Sequence, residues 1–230
     1  MSEAVQSGTL YIVSTPIGNL EDISFRAVKI LSEVDLIAAE DTRKTRFLLD
    51  HFKIHKPIVS YFSYNEARRT PELLSKLKLG SSIALVSDAG TPGVSDPAFR
   101  IIRTALDENV PVISIPGPTA FLPALIVSGL PSEHFLFEGF LPVKKGRKTK
   151  LEQFQKEHRT IILYESPHRL LRTLNDLQQY LGDRQISVSR ELTKKFEETV
   201  RGDIPSILSY YSTHPIKGEF VIVVSSSSET

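Results

Sequence analysis

At 230 residues the chain is long enough for one large domain or two small ones. With no cysteine it can build neither a disulfide nor a thiolate metal site or nucleophile. A formal net charge of +1 excludes a wholly electrostatic nucleic-acid binder, so any nucleic acid must be held by local basic patches.

The polar start from Met1 to Gly8 has no apolar stretch of the signal-peptide type, which predicts a soluble, cytoplasmic protein. Short apolar, β-branched runs then predict strands at Leu10–Ser14, Leu36–Ala39, Ile58–Tyr61, Ile83–Ser87 and Val112–Ile115. Several are apolar at consecutive positions, as strands covered on both faces should be. Thr70-Pro71 and Asp96-Pro97 each set a capping side chain before a proline and predict helix starts. The first such helix carries Leu73, Leu74 and Leu77 inward and stops at Gly80; the second carries Ile101, Ile102, Ala105 and Leu106. The uncharged run from Asn109 to Ser132 is long enough to span a bilayer on paper. Its five prolines and two glycines would strand backbone groups in lipid, so it reads as a buried strand, a turn and a buried helix.

In the second half, strands are predicted at Phe135–Glu138, Thr160–Tyr164, Ile186–Arg190 and Phe220–Val224. Ser166-Pro167 predicts the start of a helix bearing Leu170, Leu171, Leu174, Leu177 and Leu181, ended by Gly182. The tract Ser225–Ser228 reads as frayed. Alternation of strands with helices marks an α/β protein, and the break after Ile115 suggests two α/β domains, residues 1–118 and 119–230, with a cleft between them.

Ligands of open α/β sheets bind beyond the carboxyl ends of the strands. Those positions here hold Thr15-Pro16-Ile17-Gly18-Asn19, the run Asp88 to Asp96, Pro116-Gly117-Pro118-Thr119-Ala120, and Tyr164 to Arg169. Each could be only a tight turn, since turns favour glycine, proline and aspartate; four of them after strands point to a ligand. The phosphate-cradling and nucleophile-elbow patterns are both missing, which leaves a cofactor-sized cleft for a small zwitterion or nucleoside.

These same loops carry a resemblance. Ser14 to Asp22, Ala39-Glu40-Asp41-Thr42-Arg43, Ser87 to Gly93, Phe137 to Pro142, Glu165-Ser166-Pro167-His168-Arg169, Arg190-Glu191-Leu192-Thr193-Lys194 and Lys217 to Phe220 resemble the ribosomal RNA small subunit methyltransferase I family of the tetrapyrrole-methylase fold. The resemblance implies two α/β domains with S-adenosylmethionine between them, a homodimer, and 2′-O-methylation of a cytidine in small-subunit ribosomal RNA. It places cofactor contacts at Ile17, Gly18, Asp88, Ala89, Gly90, Thr91, Thr119 and Ala120, and at Tyr164, Glu165, Gly218, Glu219 and Phe220. Porphyrin-methylating relatives carry G-x-G-P-G-D and G-D-P where this chain has Thr-Pro-Ile-Gly-Asn and Gly-Thr-Pro, which favours RNA over a tetrapyrrole C-methylase. Longer members carry a small extra C-terminal domain not present in this sequence.

Lys144, Lys145, Arg147, Lys148 and Lys150 form the densest basic stretch; alone it reads as a solvated loop, and with the resemblance as an RNA contact. Arg43, Lys44, Arg46, Arg68 and Arg69 could extend the track. His51 and His55 share one helix face by spacing, yet no H-E-x-x-H pattern exists and no metal is expected. Methyl transfer needs positioning and, for a weakly nucleophilic ribose hydroxyl, a base or cation nearby. Glu40, Asp41, Arg43, Arg190, Glu191 and Lys194 are candidates, each equally readable as an ion pair or cap. A fold-retaining assembly factor that binds RNA without catalysis would lack affinity for the cofactor.

Overall fold

The computed structural model describes residues 4–226, so the first three residues and part of the Ser225–Ser228 tract lie outside the described residues. The chain is α/β and divides into two compact units, Met1–Thr119 and Ala120–Thr230.

In the N-terminal unit, strands alternate with helices: β1 (Leu10–Val13), α1 (Phe25–Glu33), β2 (Leu36–Ala39), α2 (Thr42–His51), β3 (Ile58–Ser60), α3 (Glu66–Lys78), β4 (Ile83–Val86), α4 (Phe99–Asp107) and β5 (Val112–Ile115). The strands form one parallel sheet in the order β3-β2-β4-β1-β5. Side chains alternate across it. Leu10, Ile12, Leu36, Leu85 and their neighbours pack with α3 and α4 on one face, while Tyr11, Val13, Ile37 and Val86 pack with α1 and α2 on the other. Two covered faces explain why these strands are apolar at successive positions.

The C-terminal unit contains α5 (Phe121–Ser128), β6 (Phe135–Phe140), α6 (Arg147–Gln155), β7 (Thr160–Glu165), α7 (Leu170–Leu181), β8 (Gln185–Arg190), β9 (Glu198–Asp203), α8 (Ile204–Thr213) and β10 (Phe220–Val224). Its sheet runs β6-β7-β10-β8-β9; β6 and β7 are parallel and the other pairs antiparallel. Helices α6, α7 and α8 bury Leu151, Leu174 and Ile207 against Ile161, Ile186 and Ile222.

Three helix starts differ from expectation. Pro71 lies inside α3, which begins five residues earlier beyond Asn65; the Asn65 side chain accepts from Phe62 N instead of capping. Helices α4 and α7 begin two and three residues after Pro97 and Pro167, each without a side-chain cap. Proline here precedes the helix as part of a turn. The uncharged run is also less buried than expected: β5 is an edge strand, and α5 leaves Ile126 64% exposed. Leu106 and Leu171 are likewise exposed.

Candidate functional site

The order β4-β1-β5 brings three strand ends side by side in the N-terminal unit, and their outgoing loops are bonded to one another. Thr15 and Gly90 exchange both backbone bonds, N to O at 2.8 and 3.0 Å. The Thr91 hydroxyl donates to the Pro118 carbonyl at 3.1 Å, so in its 2.8 Å bond with Ser14 it accepts. Gly90 holds φ +83°, where a side chain would be strained, and faces Ile17 and Pro118. A Cβ on Gly117 would stand 2.9 Å from the Ser14 Cβ. Ile17, Gly90, Thr91 and Pro118 are thus brought together, as the sequence predicted for the first three, in a rim tied by main-chain bonds. Gly18 leads into Asn19, whose side chain accepts from Glu21 N and caps a short 3₁₀ turn, Leu20–Asp22. Thr119 and Ala120 flank the division between the units and are half-buried.

Beside this rim lie the charged candidates. Asp88 accepts from Asp41 N at 2.9 Å and from Lys44 Nζ at 2.7 Å, and its own N donates to Glu40 at 3.3 Å. Asp41 caps α2 and clamps the guanidinium of Arg43, whose side chain is 89% exposed. That clamp holds the Asp41 carboxyl well below the usual carboxylate range. Asp96, hydrogen-bonded to Ser87, is pushed up to about 6 by burial and by the nearby charges of Glu40 and Asp88. A cavity of about 510 Å³ opens here, lined by Thr15, Pro16, Leu20, Arg43, Lys44, Phe47 and Asp88 among others.

In the C-terminal unit the Tyr164 hydroxyl accepts from Phe121 N at 3.2 Å, and its ring meets Phe137 and Phe140 edge-on. Glu165 is buried, with its carboxylate held by Ser166 N, Arg169 and the Thr173 hydroxyl at 2.6 Å. Thr173 also accepts from Arg147, which reaches Asp176 at 2.7 Å and the Pro142 carbonyl. At the β8 end, Glu191 and Thr193 hold positive φ, 51° and 68°. Lys194 joins Glu191 at 2.8 Å and Glu219 at 2.9 Å. Burial, the largest single influence, opposes the charge on both Glu191 and Lys194, but their mutual bond and the contacts with Glu219 together outweigh it, holding the Glu191 carboxyl low and the Lys194 amine high. Gly218 fits against this pair because it has no Cβ; one would lie 2.4 Å from Glu191 Cγ. Arg190 donates to the Pro215 carbonyl and lies 3.5 Å from Glu198.

The family model of the tetrapyrrole (corrin/porphyrin) methylases matches residues 9–208. The chain belongs to this family. Among methylases of this family, it is 53% identical over 219 residues to ribosomal RNA small subunit methyltransferase I of Synechocystis, covering 94% of this chain and 78% of that protein. It is 46% identical to the protein of that name from Thermotoga maritima, covering 95% of this chain and 98% of the relative. The crystal structure of diphthine synthase shares the tetrapyrrole-methylase fold, with TM-score 0.75 at 14% identity over 94% of this chain and 90% of that one.

Several expected site residues require correction. Arg147 is not a free cation for RNA: its side chain is buried and bonded to Asp176, Thr173 and Pro142. Lys150 pairs with Glu138 and Lys148 approaches Glu152, which leaves Lys144 and Lys145 exposed without an ion pair among the described residues. The Glu165 carboxylate and the Phe220 ring point into the core of their unit, so only their main chain can meet a ligand. His51 ends α2 and His55 lies beyond it, not on one helix face; no metal-binding cluster occurs among the described residues. Thr173, Asp176 and Asp96 were not foreseen. Thr173, three after Leu170 and four before Leu177, shares the inward stripe of its helix, a signal that could have found it; Asp176 lies off that stripe and gives none.

Proposed function

We propose that this tetrapyrrole methylase is an S-adenosylmethionine-dependent methyltransferase that methylates a cytidine 2′-hydroxyl in small-subunit ribosomal RNA. The observation that carries the reading is the cross-bonded rim of Thr15, Gly90, Thr91 and Pro118, which fixes three loop backbones side by side at adjacent strand ends, with Gly90 and Gly117 at the closest approaches. Relatives named ribosomal RNA small subunit methyltransferase I, alike over nearly the whole chain, support RNA as the substrate.

The rim fits a nucleoside cofactor read by backbone. Ile17, Gly18, Asp88, Ala89, Gly90 and Thr91 would hold it from the first unit, with Thr119 and Ala120 following. Tyr164, Gly218, Glu219 and the main chain of Glu165 and Phe220 are the corresponding residues of the second. The bound cofactor supplies an activated methyl group on a sulfonium, which needs neither a metal nor a covalent enzyme intermediate. The chain's own work is to position, to exclude water and to stabilise charge. Asp41 and Glu191 are each locked in an ion pair that favours their charged form, which weakens them as bases. Glu40, Arg43, Arg190 and Lys194 would then act on the electrostatics of the acceptor oxygen. Lys144 and Lys145 are the basic-loop residues best placed to meet phosphate. The protein is proposed to act as a homodimer in the cytoplasm; among the described residues no helix is long and apolar enough to cross a membrane.

Titration calorimetry with S-adenosylmethionine, followed by methyl transfer from labelled cofactor to unmodified small ribosomal subunits, tests the reading. Binding with incorporation into a ribose of the RNA is expected. Incorporation only into uroporphyrinogen, or no cofactor binding at all, would overturn it.

A further inference from the structure

Besides Phe25, which opens α1 after β1, three aromatic rings stand in solvent at the same end of the N-terminal sheet. Phe47 follows β2 on α2, Tyr64 follows β3, and Phe99 opens α4 after β4; the three strands are neighbours in the order β3-β2-β4. The rings are 69%, 96% and 80% exposed. One exposed hydrophobic residue is ordinary on a protein surface, but three after adjacent strands form a pattern that calls for a partner. Each has an arginine close in sequence: Arg46 precedes Phe47, Arg68 follows Tyr64 by four residues, and Arg100 follows Phe99. Arg46 and Arg68 are exposed with no ion pair among the described residues, and Arg100 is held only loosely, 3.5 Å from Glu66.

Two cavities each take one of these rings as a wall, Phe47 in one and Phe99 in the other. The first, about 510 Å³, takes Phe47 as wall together with Thr15 and Asp88. The second, about 530 Å³, is lined by Phe99, by Ser63 beside Tyr64, and by Arg100. The loop after β4 separates them, with Ser87 and Asp88 lining one and Asp96 the other. Glu66 and Asp96, which also line the second cavity, would repel phosphate and accept from an amino group on a base, so phosphates belong on the outer guanidinium rim.

We propose that this end of the N-terminal unit is a platform for single-stranded RNA, on which bases stack against Phe47, Tyr64 and Phe99 while Arg46, Arg68 and Arg100 meet the phosphates. RNA is favoured because Arg46 and Arg68 are exposed without an ion pair among the described residues, and so are available to a phosphate backbone beside the stacking faces. The inference rests on the RNA-methylating function proposed above and adds where the strand lies, on a unit different from the one carrying Lys144 and Lys145.

The test is fluorescence anisotropy of the full chain with a fluorescein-labelled unstructured oligoribonucleotide of about 12 nucleotides, a length within single-strand site sizes. Phe47→Leu, Tyr64→Leu and Phe99→Leu keep apolar bulk and remove the stacking face. Each should weaken binding about tenfold, from the stacking strength of one base, and Phe47→Tyr and Phe99→Tyr should restore it. Arg46→Gln should reduce the slope of log affinity against log salt by roughly one unit. Cofactor affinity by calorimetry should stay at the wild-type value for Tyr64→Leu and Phe99→Leu, which lie outside the candidate-site cavity, and the melting temperature should stay unchanged in all three, which separates lost stacking from lost folding. Unchanged RNA affinity in all three leucine variants, or no oligoribonucleotide binding by wild type, overturns the platform. So does a change in sedimentation of the variants, which would mean that a second copy of the chain covers the rings. If wild type methylates small subunits and the triple leucine variant does so with unchanged KM, the platform fails and the methyltransferase reading stands. If wild type neither binds cofactor nor transfers methyl groups, that reading fails instead.

Discussion

In the N-terminal unit the loops leaving β1, β4 and β5 are joined by uncharged bonds, backbone to backbone and hydroxyl to carbonyl, with glycines where chains come closest. In the C-terminal unit the end of β7 is held by buried charge: Glu165 by Arg169 and Thr173, and Thr173 in turn by Arg147 with Asp176. Neutral bridges contribute modestly one by one, and losing one leaves the rest in place. A buried charged network behaves differently, because removing one member leaves the others uncompensated. The two regions should therefore fail in different ways when cut.

The largest effect is expected from Arg147→Ala, which leaves Asp176 and Thr173 without their partner. A loss of about 3 kcal/mol, or roughly 6–12 °C in melting temperature, is the expected size. A calorimetric shift of under about 1 kcal/mol would mean that the network is no more costly to cut than the neutral rim. Gly218→Ala comes next. The new Cβ meets Glu191 at a position of φ +88°, and about 2 kcal/mol of strain should appear in denaturant unfolding. Cofactor affinity should fall about tenfold if that strain displaces the Lys194 cluster from the ligand. Thr91→Val removes two neutral bonds and should cost about 1 kcal/mol, with a loss of cofactor affinity that does not change with salt; salt dependence would mean the rim relies on charge after all.

Asp96→Asn should give the smallest change and the one most dependent on pH. Folding raises this carboxyl from an ordinary value of 3.8 to about 6, so the folded chain binds its proton more tightly than the unfolded chain. That contribution is complete below about pH 4 and is lost as pH rises through about 6. The asparagine variant should therefore melt about one or two degrees above wild type near pH 8, a gain limited by the partial exposure of the site, and match it near pH 4. Equal melting temperatures at both pH values would show that Asp96 is not burdened by Glu40 and Asp88.

The same contrast explains what could be read from the sequence. Leu36–Ala39 and Val112–Ile115 were placed to the residue because short apolar runs in a parallel sheet have few alternatives. The first-unit loops were legible because close backbone approach requires particular residue types, glycine above all. β9 went unseen: Glu198–Asp203 is a polar strand at a sheet edge, where the apolar pattern is not needed. Arg147 was misread because a basic run declares charge but not burial, and its partners Thr173 and Asp176 lie more than twenty residues away. Pro97 and Pro167 misplaced two helix starts because proline is as much at home in the preceding turn as in the first helical residue, and Pro71 misplaced a third because it lies inside a helix that begins at Glu66.

Parallel neighbours such as β1 and β4 send their loops out in the same direction with no short covalent link, so each loop would ordinarily breathe alone. The reciprocal bond between Thr15 and Gly90 closes the two into one ring of backbone. Their amides should therefore resist deuterium uptake until the whole unit opens, even though both sit in loops at the rim. Substitutions tolerated in one loop should accordingly depend on the partner loop's residue, so variants that reshape the rim would have to be selected in pairs.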